Sequence, residues 1–234
     1  MGMGMAINCV RNALPTRGQD VDLARMQEFE DAGGQPADSE APQDIVVLVV
    51  VNNAQMSSVL FADGGLIHRM SPGALVIGCT TQGPEDAKNL ASRLAEHDIE
   101  YLDAPISGGA ARAASGDLVV MASGSDRAFQ LAKPVLEAVS ATVYPLGTDV
   151  GSASAMKMVN QLLAGIHIAS TAEAFSFGIK HGISADRLFE VIRECAGSSW
   201  MFENRGPHIV EGDYTPLSSV DIFVKDLGIV SDMA

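Results

Sequence analysis

The chain has 234 residues, 47% of them hydrophobic and 19% charged, which supplies a soluble protein with apolar surface for one large or two modest domains. Its formal net charge of −14 repels polyanions and excludes non-specific nucleic-acid binding. Three widely spaced cysteines, Cys9, Cys79 and Cys195, with no CxxC pair, argue for a reducing, cytoplasmic compartment rather than a disulfide framework. No uninterrupted apolar run approaches the roughly 20 residues of a membrane helix. The first residues lack the basic start and apolar core of a signal peptide, so no membrane partner is expected.

In chain order, Met3 to about Leu14 reads as a helix, and a strand follows that ends near Asp20. Ala32 to Gln43, rich in Gly, Pro and acids, reads as a surface loop. Ile45-Val-Val-Leu-Val-Val-Val51 has no polar alternation, as expected of a parallel strand covered on both faces. Ala74–Cys79, Ile99–Asp103, Leu118–Ala122 and Ala141–Leu146 are further strands. Between them, Ala54–Phe61, Pro84–His97 and Ser125–Val139 read as helices. Pro84 suits a first helical turn, with Glu85 and Asp86 at its positive end. Alternation of this kind implies a doubly wound α/β sheet. After Gly147 the strand signal stops. Met156, Val159, Leu163, Ile166 and Ala169 recur at helical spacing, which predicts one long helix ended by Gly182. Ser184 caps a helix towards Cys195, and Asp221–Ala234 reads as another. The division between an α/β domain, 1–147, and an all-α domain, 148–234, is placed at about residue 148.

Three strings carry chemistry. Met1-Gly-Met-Gly-Met-Ala6 is followed by Gly18-Gln-Asp20. An acid about 20 residues after a glycine turn, at the end of a second strand, is where a dinucleotide fold binds the adenosine ribose hydroxyls. Such a carboxylate repels a 2′-phosphate and so favours NAD over NADP; an ordinary turn aspartate is the competing reading. In Asp103-Ala-Pro-Ile-Ser107-Gly108-Gly109, the glycines let backbone N–H groups face a small anion, with the serine hydroxyl as a further donor. The third string runs from Gly147 through Gly151 to Lys157, Asn160 and Gln161. A lysine near the start of a long apolar helix opposes the positive terminus and is poorly solvated, and both effects favour the neutral amine. A lysine so placed can exchange a proton with an alcohol or ketone; the bland alternative is a snorkelling surface lysine.

Together these strings resemble the β-hydroxyacid dehydrogenases, the family of 3-hydroxyisobutyrate and 6-phosphogluconate dehydrogenases. Gly2 and Met5-Ala6 match the later part of its G-x-G-x-M-G-x-x-M-A fingerprint, and Asp103–Gly109 its D-A-P-V-S-G-G signature. The resemblance implies a Rossmann-like domain followed by an all-α domain, with NAD as cofactor, no metal, and a small hydroxy acid as substrate. It implies that Lys157 is catalytic, that Ser107, Gly108 and Gly109 bind the substrate carboxylate, and that Asn160 and Gln161 hold the substrate. Gln161 stands where many relatives have asparagine, which suggests an acid other than 3-hydroxyisobutyrate. For the cofactor it implies Gly2, Asp20, Val50, Val51, Gln55, Thr81 and Lys225, the last against the nicotinamide end. The strings Asn160–His167, Ser199–Arg205, Gly212–Pro216 and Val220–Gly228 resemble one branch of the family that handles polyhydroxy acids. Oxidation of 3-hydroxyisobutyrate and reduction of tartronate semialdehyde stay open beside it, as does an inactive remnant serving only to bind or oligomerise.

In this alignment the family's first strand and first two glycines precede residue 1, and its last helices follow residue 234. The expectation is therefore a chain truncated at both ends, weak in NADH binding and inclined to aggregate, with a homo-oligomer as the full-length form.

Overall fold

The computed structural model describes residues 1–37, 42–215 and 219–234. Two compact units emerge, Met1–Lys157 and Met158–Ala234.

The first unit begins with α1 (Gly2–Arg11), β1 (Arg17–Gly18), α2 (Leu23–Asp31) and β2 (Gln35–Pro36). It continues through β3 (Gln43–Leu48), α3 (Asn53–Phe61), β4 (Met70–Gly78), α4 (Pro84–Ala95) and β5 (Glu100–Asp103). Then come β6 (Ile106–Ser107), α5 (Gly109–Ser115), β7 (Leu118–Ala122), α6 (Asp126–Val139) and β8 (Ser140–Pro145). The strands form three hydrogen-bonded groups: β1-β2, β3-β4-β5 and β6-β7-β8. All pairings are parallel except β6 with β7. An antiparallel bridge between Asp103 and Ser123 ties the ends of β5 and β7. The parallel, doubly wound expectation therefore holds, with one strand reversed.

Burial follows the period of 2 along each strand. Leu75 and Ile77 of β4 and Leu102 of β5 enter one core with Met5, Leu118 and Leu136. Val76 and Tyr101 face the other way, into a core with Met56, Leu60, Leu90 and Leu94. Both faces are covered, which is why these strands read as unbroken apolar runs. Side-chain caps start the helices: Asp22 accepts from Ala24 N, Asn52 from Gln55 N and Ser125 from Ala128 N.

Two expectations are corrected here. The 32–43 segment contains β2, and its residues 38–41 lie outside the described residues. The other concerns α7 (Ser152–Lys180), which by length and composition alone could cross a membrane: it has 29 residues and a best-window mean hydropathy of 1.3. The expectation looked for unbroken apolar residues, whereas in this helix they alternate with polar ones.

The division between the units falls inside α7. The second unit holds the rest of that helix, α8 (Ala185–Ile192), α9 (Trp200–Glu211) and α10 (Asp221–Met233). Its core is aromatic: Phe175, Leu188 and Phe202 are buried together, and Phe175 stacks on Phe202 at 5.5 Å between ring centroids. Helix α9 was not expected. Pro207 sits inside it, a residue that reads as a breaker because it removes an intrahelical donor. The Gly212–Pro216 string ends outside the described residues, at Pro216.

Candidate active site

Lys157, the lysine expected to exchange the proton, lies in the first unit. It is only 6% exposed, and its Nζ donates to the Ile106 carbonyl at 2.9 Å. Ile106 precedes Ser107 on β6, so one hydrogen bond brings the lysine beside the Ser-Gly-Gly segment. Gly108 and Gly109 have φ of 133° and 73°. Both values lie where L side chains rarely go, so the sharp turn from β6 into α5 requires glycine twice in succession.

The start of α7 is held from outside the helix. Asp103, at the end of β5 and 0% exposed, accepts Gly151 N at 3.1 Å, Ser154 N at 2.9 Å and Ser154 Oγ at 2.8 Å. Ser123 Oγ lies 3.4 Å from the same carboxylate and accepts Ala153 N at 3.1 Å. Two first-turn N–H groups are thus capped by side chains from β5 and the end of β7. Burial lifts the Asp103 carboxyl above the ordinary carboxylate value, and its donors from Ser154, Gly151 and Ser123 pull it part of the way back. Together Asp103 and Ser123 fix where Lys157 stands. Neither was singled out from sequence, because each acts on a helix that begins about 30 to 50 residues later.

The residues assigned to the cofactor fall into two groups in this unit. Gly2, the first residue of α1, faces the end of β3: a Cβ on it would lie 3.3 Å from Val49 Cβ. Val50 and Val51 follow directly. Val50 N donates to Thr80 Oγ1 at 3.3 Å, and Val51 N to Gln55 Oε1 at 2.9 Å. Thr81 is the next residue after Thr80, so the structure brings Gly2, Val50, Val51, Gln55 and Thr81 to the ends of β3 and β4. Asp20 is apart from them. Its carboxylate is exposed, accepts Asp22 N at 3.0 Å, and lines a cavity of about 270 Å³ with Gly18, Gln19, Met26, Pro36 and Arg69. Arg69 is the addition here: its Nε is buried without a hydrogen-bond partner among the described residues, and no sequence pattern marks it.

In the second unit, Asn160 Nδ2 donates to Gln161 Oε1 at 2.9 Å. Gln161, 6% exposed, donates from Nε2 to Asp226 Oδ2. Lys225 Nζ lies 2.8 Å from Asp226 Oδ1. The two amides and the lysine therefore meet through Asp226, which sequence reasoning passed over as one residue of a helical string.

Comparison with known proteins gives the family. Residues 1–147 match the NAD binding domain of 6-phosphogluconate dehydrogenase, and residues 151–234 match the NAD-binding domain of NADP-dependent 3-hydroxyisobutyrate dehydrogenase. L-threonate dehydrogenase of Cupriavidus necator is 50% identical over all of this chain and 80% of its own length. That of Pectobacterium atrosepticum is 47% identical over all of this chain and 79% of its own. The crystal structure of a 3-hydroxyisobutyrate dehydrogenase from Salmonella typhimurium superposes with a TM-score of 0.92 at 45% identity, covering all of this chain and 83% of that one.

Proposed function

The chain belongs to the 3-hydroxyisobutyrate dehydrogenase family of NAD-binding oxidoreductases, and from that premise we propose that it oxidises L-threonate to its 2-oxo acid. The observation that carries the reading is the buried Lys157, held 2.9 Å from the carbonyl that precedes Ser107. A proton-transfer group and an anion-binding turn are thereby built into one unit.

Residues 1–147 act as the dinucleotide-binding domain, and 148–234 as the substrate and oligomerisation domain. Bound NAD would supply the hydride acceptor for oxidation of the alcohol to a ketone. The chain's own residues do the rest. Lys157 Nζ accepts the hydroxyl proton in the oxidation and returns it in the reduction. Ser107 and the Gly108–Gly109 turn hold the carboxylate. Asn160 and Gln161 hold the substrate hydroxyls. The segment of Gly2, Val50, Val51, Gln55 and Thr81 carries the middle of the cofactor, Asp20 its adenosine ribose, and Lys225 its nicotinamide end. Asp20 repels a 2′-phosphate. Arg69 on the same cavity wall offsets part of that repulsion, so NADP is accepted as the poorer cofactor.

The exposed Val159, Leu163 and Ile166 of α7, each about half accessible, support a homo-oligomer. The three free cysteines suit a cytoplasmic setting.

The test compares initial rates with NAD and NADP on L-threonate and 3-hydroxyisobutyrate, and the reverse reaction on tartronate semialdehyde. The expected result is the highest kcat/KM for L-threonate with NAD. The margin over 3-hydroxyisobutyrate should be about tenfold or more, the scale of one hydroxyl matched by a buried polar group. A preference for either other substrate refutes the assignment.

A further inference from the structure

We propose that Asp226 is a positioning residue that sets the hydrogen-bond direction of the Asn160–Gln161 pair, and so decides which atoms the pair offers to a hydroxy acid. The inference rests on the reading of these amides as substrate ligands. It concerns a residue to which that reading gave no role.

Amide side chains are nearly symmetric in shape, and two hydrogen-bonded amides can run in either of two directions with little difference in energy. Here one end of the pair is tied. Asp226 is 0% exposed on α10, and its Oδ2 receives Gln161 Nε2. A carboxylate accepts and does not donate. Turning the Gln161 amide over would aim its oxygen at that carboxylate, so Nε2 must face α10. Oε1 then faces Asn160, which must donate from Nδ2, as it does at 2.9 Å. Asn160 Oδ1 and the second Nδ2 hydrogen remain on Asn160, one acceptor and one donor in fixed places, beside the second Nε2 hydrogen of Gln161. That is the pattern a hydroxyl group needs, since it donates once and accepts once.

Lys225 completes the device. Its ammonium lies 2.8 Å from Asp226 Oδ1, an ion-pair contact without hydrogen-bond alignment. It compensates a charge that would otherwise be buried alone at high cost. Asp226 thereby links the residues assigned to the nicotinamide end and to the substrate hydroxyls.

The experiment uses Asp226→Asn, Gln161→Met and the double variant, with L-threonate and NAD as probes. Asparagine keeps the shape of Asp226 but can donate as well as accept, which frees both amides to turn. The expected result is a rise in KM for L-threonate of about tenfold, the scale of one misdirected hydrogen bond. Gln161→Met cuts the relay from the other side and should raise KM equally. On that background Asp226→Asn should add less than about twofold, because partners acting through one contact do not add. Independent, multiplying effects overturn the proposal, as does a KM unchanged in either single variant. If Asp226→Asn does not fold, nitrogen-15 spectra of the Gln161 side-chain amide in the wild type decide the matter: protected protons support the proposal and unprotected protons overturn it. If the wild type does not oxidise L-threonate, the substrate assignment fails by itself. The relay is then judged by nitrogen-15 spectra of the Gln161 side-chain amide. Protons protected in the wild type and released in Asp226→Asn support it, and unprotected protons in the wild type overturn it.

Discussion

Cys79 shows how far a single residue's environment departs from what its letter suggests. It follows β4 directly, is buried with Met5, Leu75 and Ala104, and burial, with smaller contributions from Asp103 and Cys9, pushes its thiol up from 9.0 to about 12. The unfolded chain can release this proton from pH 9 upward, and the folded chain cannot. The stability that goes with the protonated thiol is therefore complete below pH 9 and lost as pH rises towards 12. At pH 10 the loss amounts to about 1.4 kcal/mol from this group. Urea melts of the wild type and Cys79→Ala between pH 8 and 10 should converge by that amount, and parallel profiles would contradict the assignment. Lys157 was legible beforehand because its spacing to Asn160 and Gln161 is a local pattern. Asp103 and Asp226 were not. Each matters through partners 48 to 65 residues away in sequence, and no periodicity encodes such a pairing.

At the scale of elements, α1 and α5 meet more closely than two helices usually do. A Cβ on Gly4 would lie 2.6 Å from the backbone of Ala113. Asn8 Nδ2 reaches across the same seam to the carbonyls of Ala113, at 2.9 Å, and Ala114, at 3.2 Å. This packing sets the position of the helix that follows Gly108–Gly109. Two effects compete in Gly4→Ala: a helical gain of about 1 kcal/mol and an overpacking cost of about 1–3 kcal/mol. The clash is with backbone, which cannot swing aside, so the cost should win and the urea midpoint should fall. Gly228→Ala in α10 is the counterpart, because nothing lies within 4 Å of the added carbon. It should gain about 1 kcal/mol. A gain in Gly4→Ala would mean that the seam is looser than described. Elements with a long, clean period, such as β4 or α7, were readable from sequence. Two helices were not: α5, although rich in helix-forming alanine, is only seven residues between glycines and too short to show a period, and α9 carries Pro207, which argues against a helix.

At the scale of the molecule, the order of the two units and the family followed from three strings, at residues 1–20, 103–109 and 147–161. These are places where backbone shape and chemistry must be kept together, which makes them informative out of proportion to their length. The reversal of β6 and the approach of Arg69 to Asp20 were not readable even though β6 and Asp20 lie in such strings, because both depend on how the chain returns on itself. The account as a whole stands on Lys157 as the proton-transfer group of a hydroxy-acid oxidation. The most direct test is steady-state and single-turnover kinetics of Lys157→Ala beside the wild type, with NADH binding followed by fluorescence. Turnover of L-threonate should fall by about 10²–10⁴-fold, the usual worth of a general acid–base group, while the NADH dissociation constant stays within experimental error. Unchanged turnover, or an equal loss of NADH binding, would contradict the account and make Lys157 a structural residue.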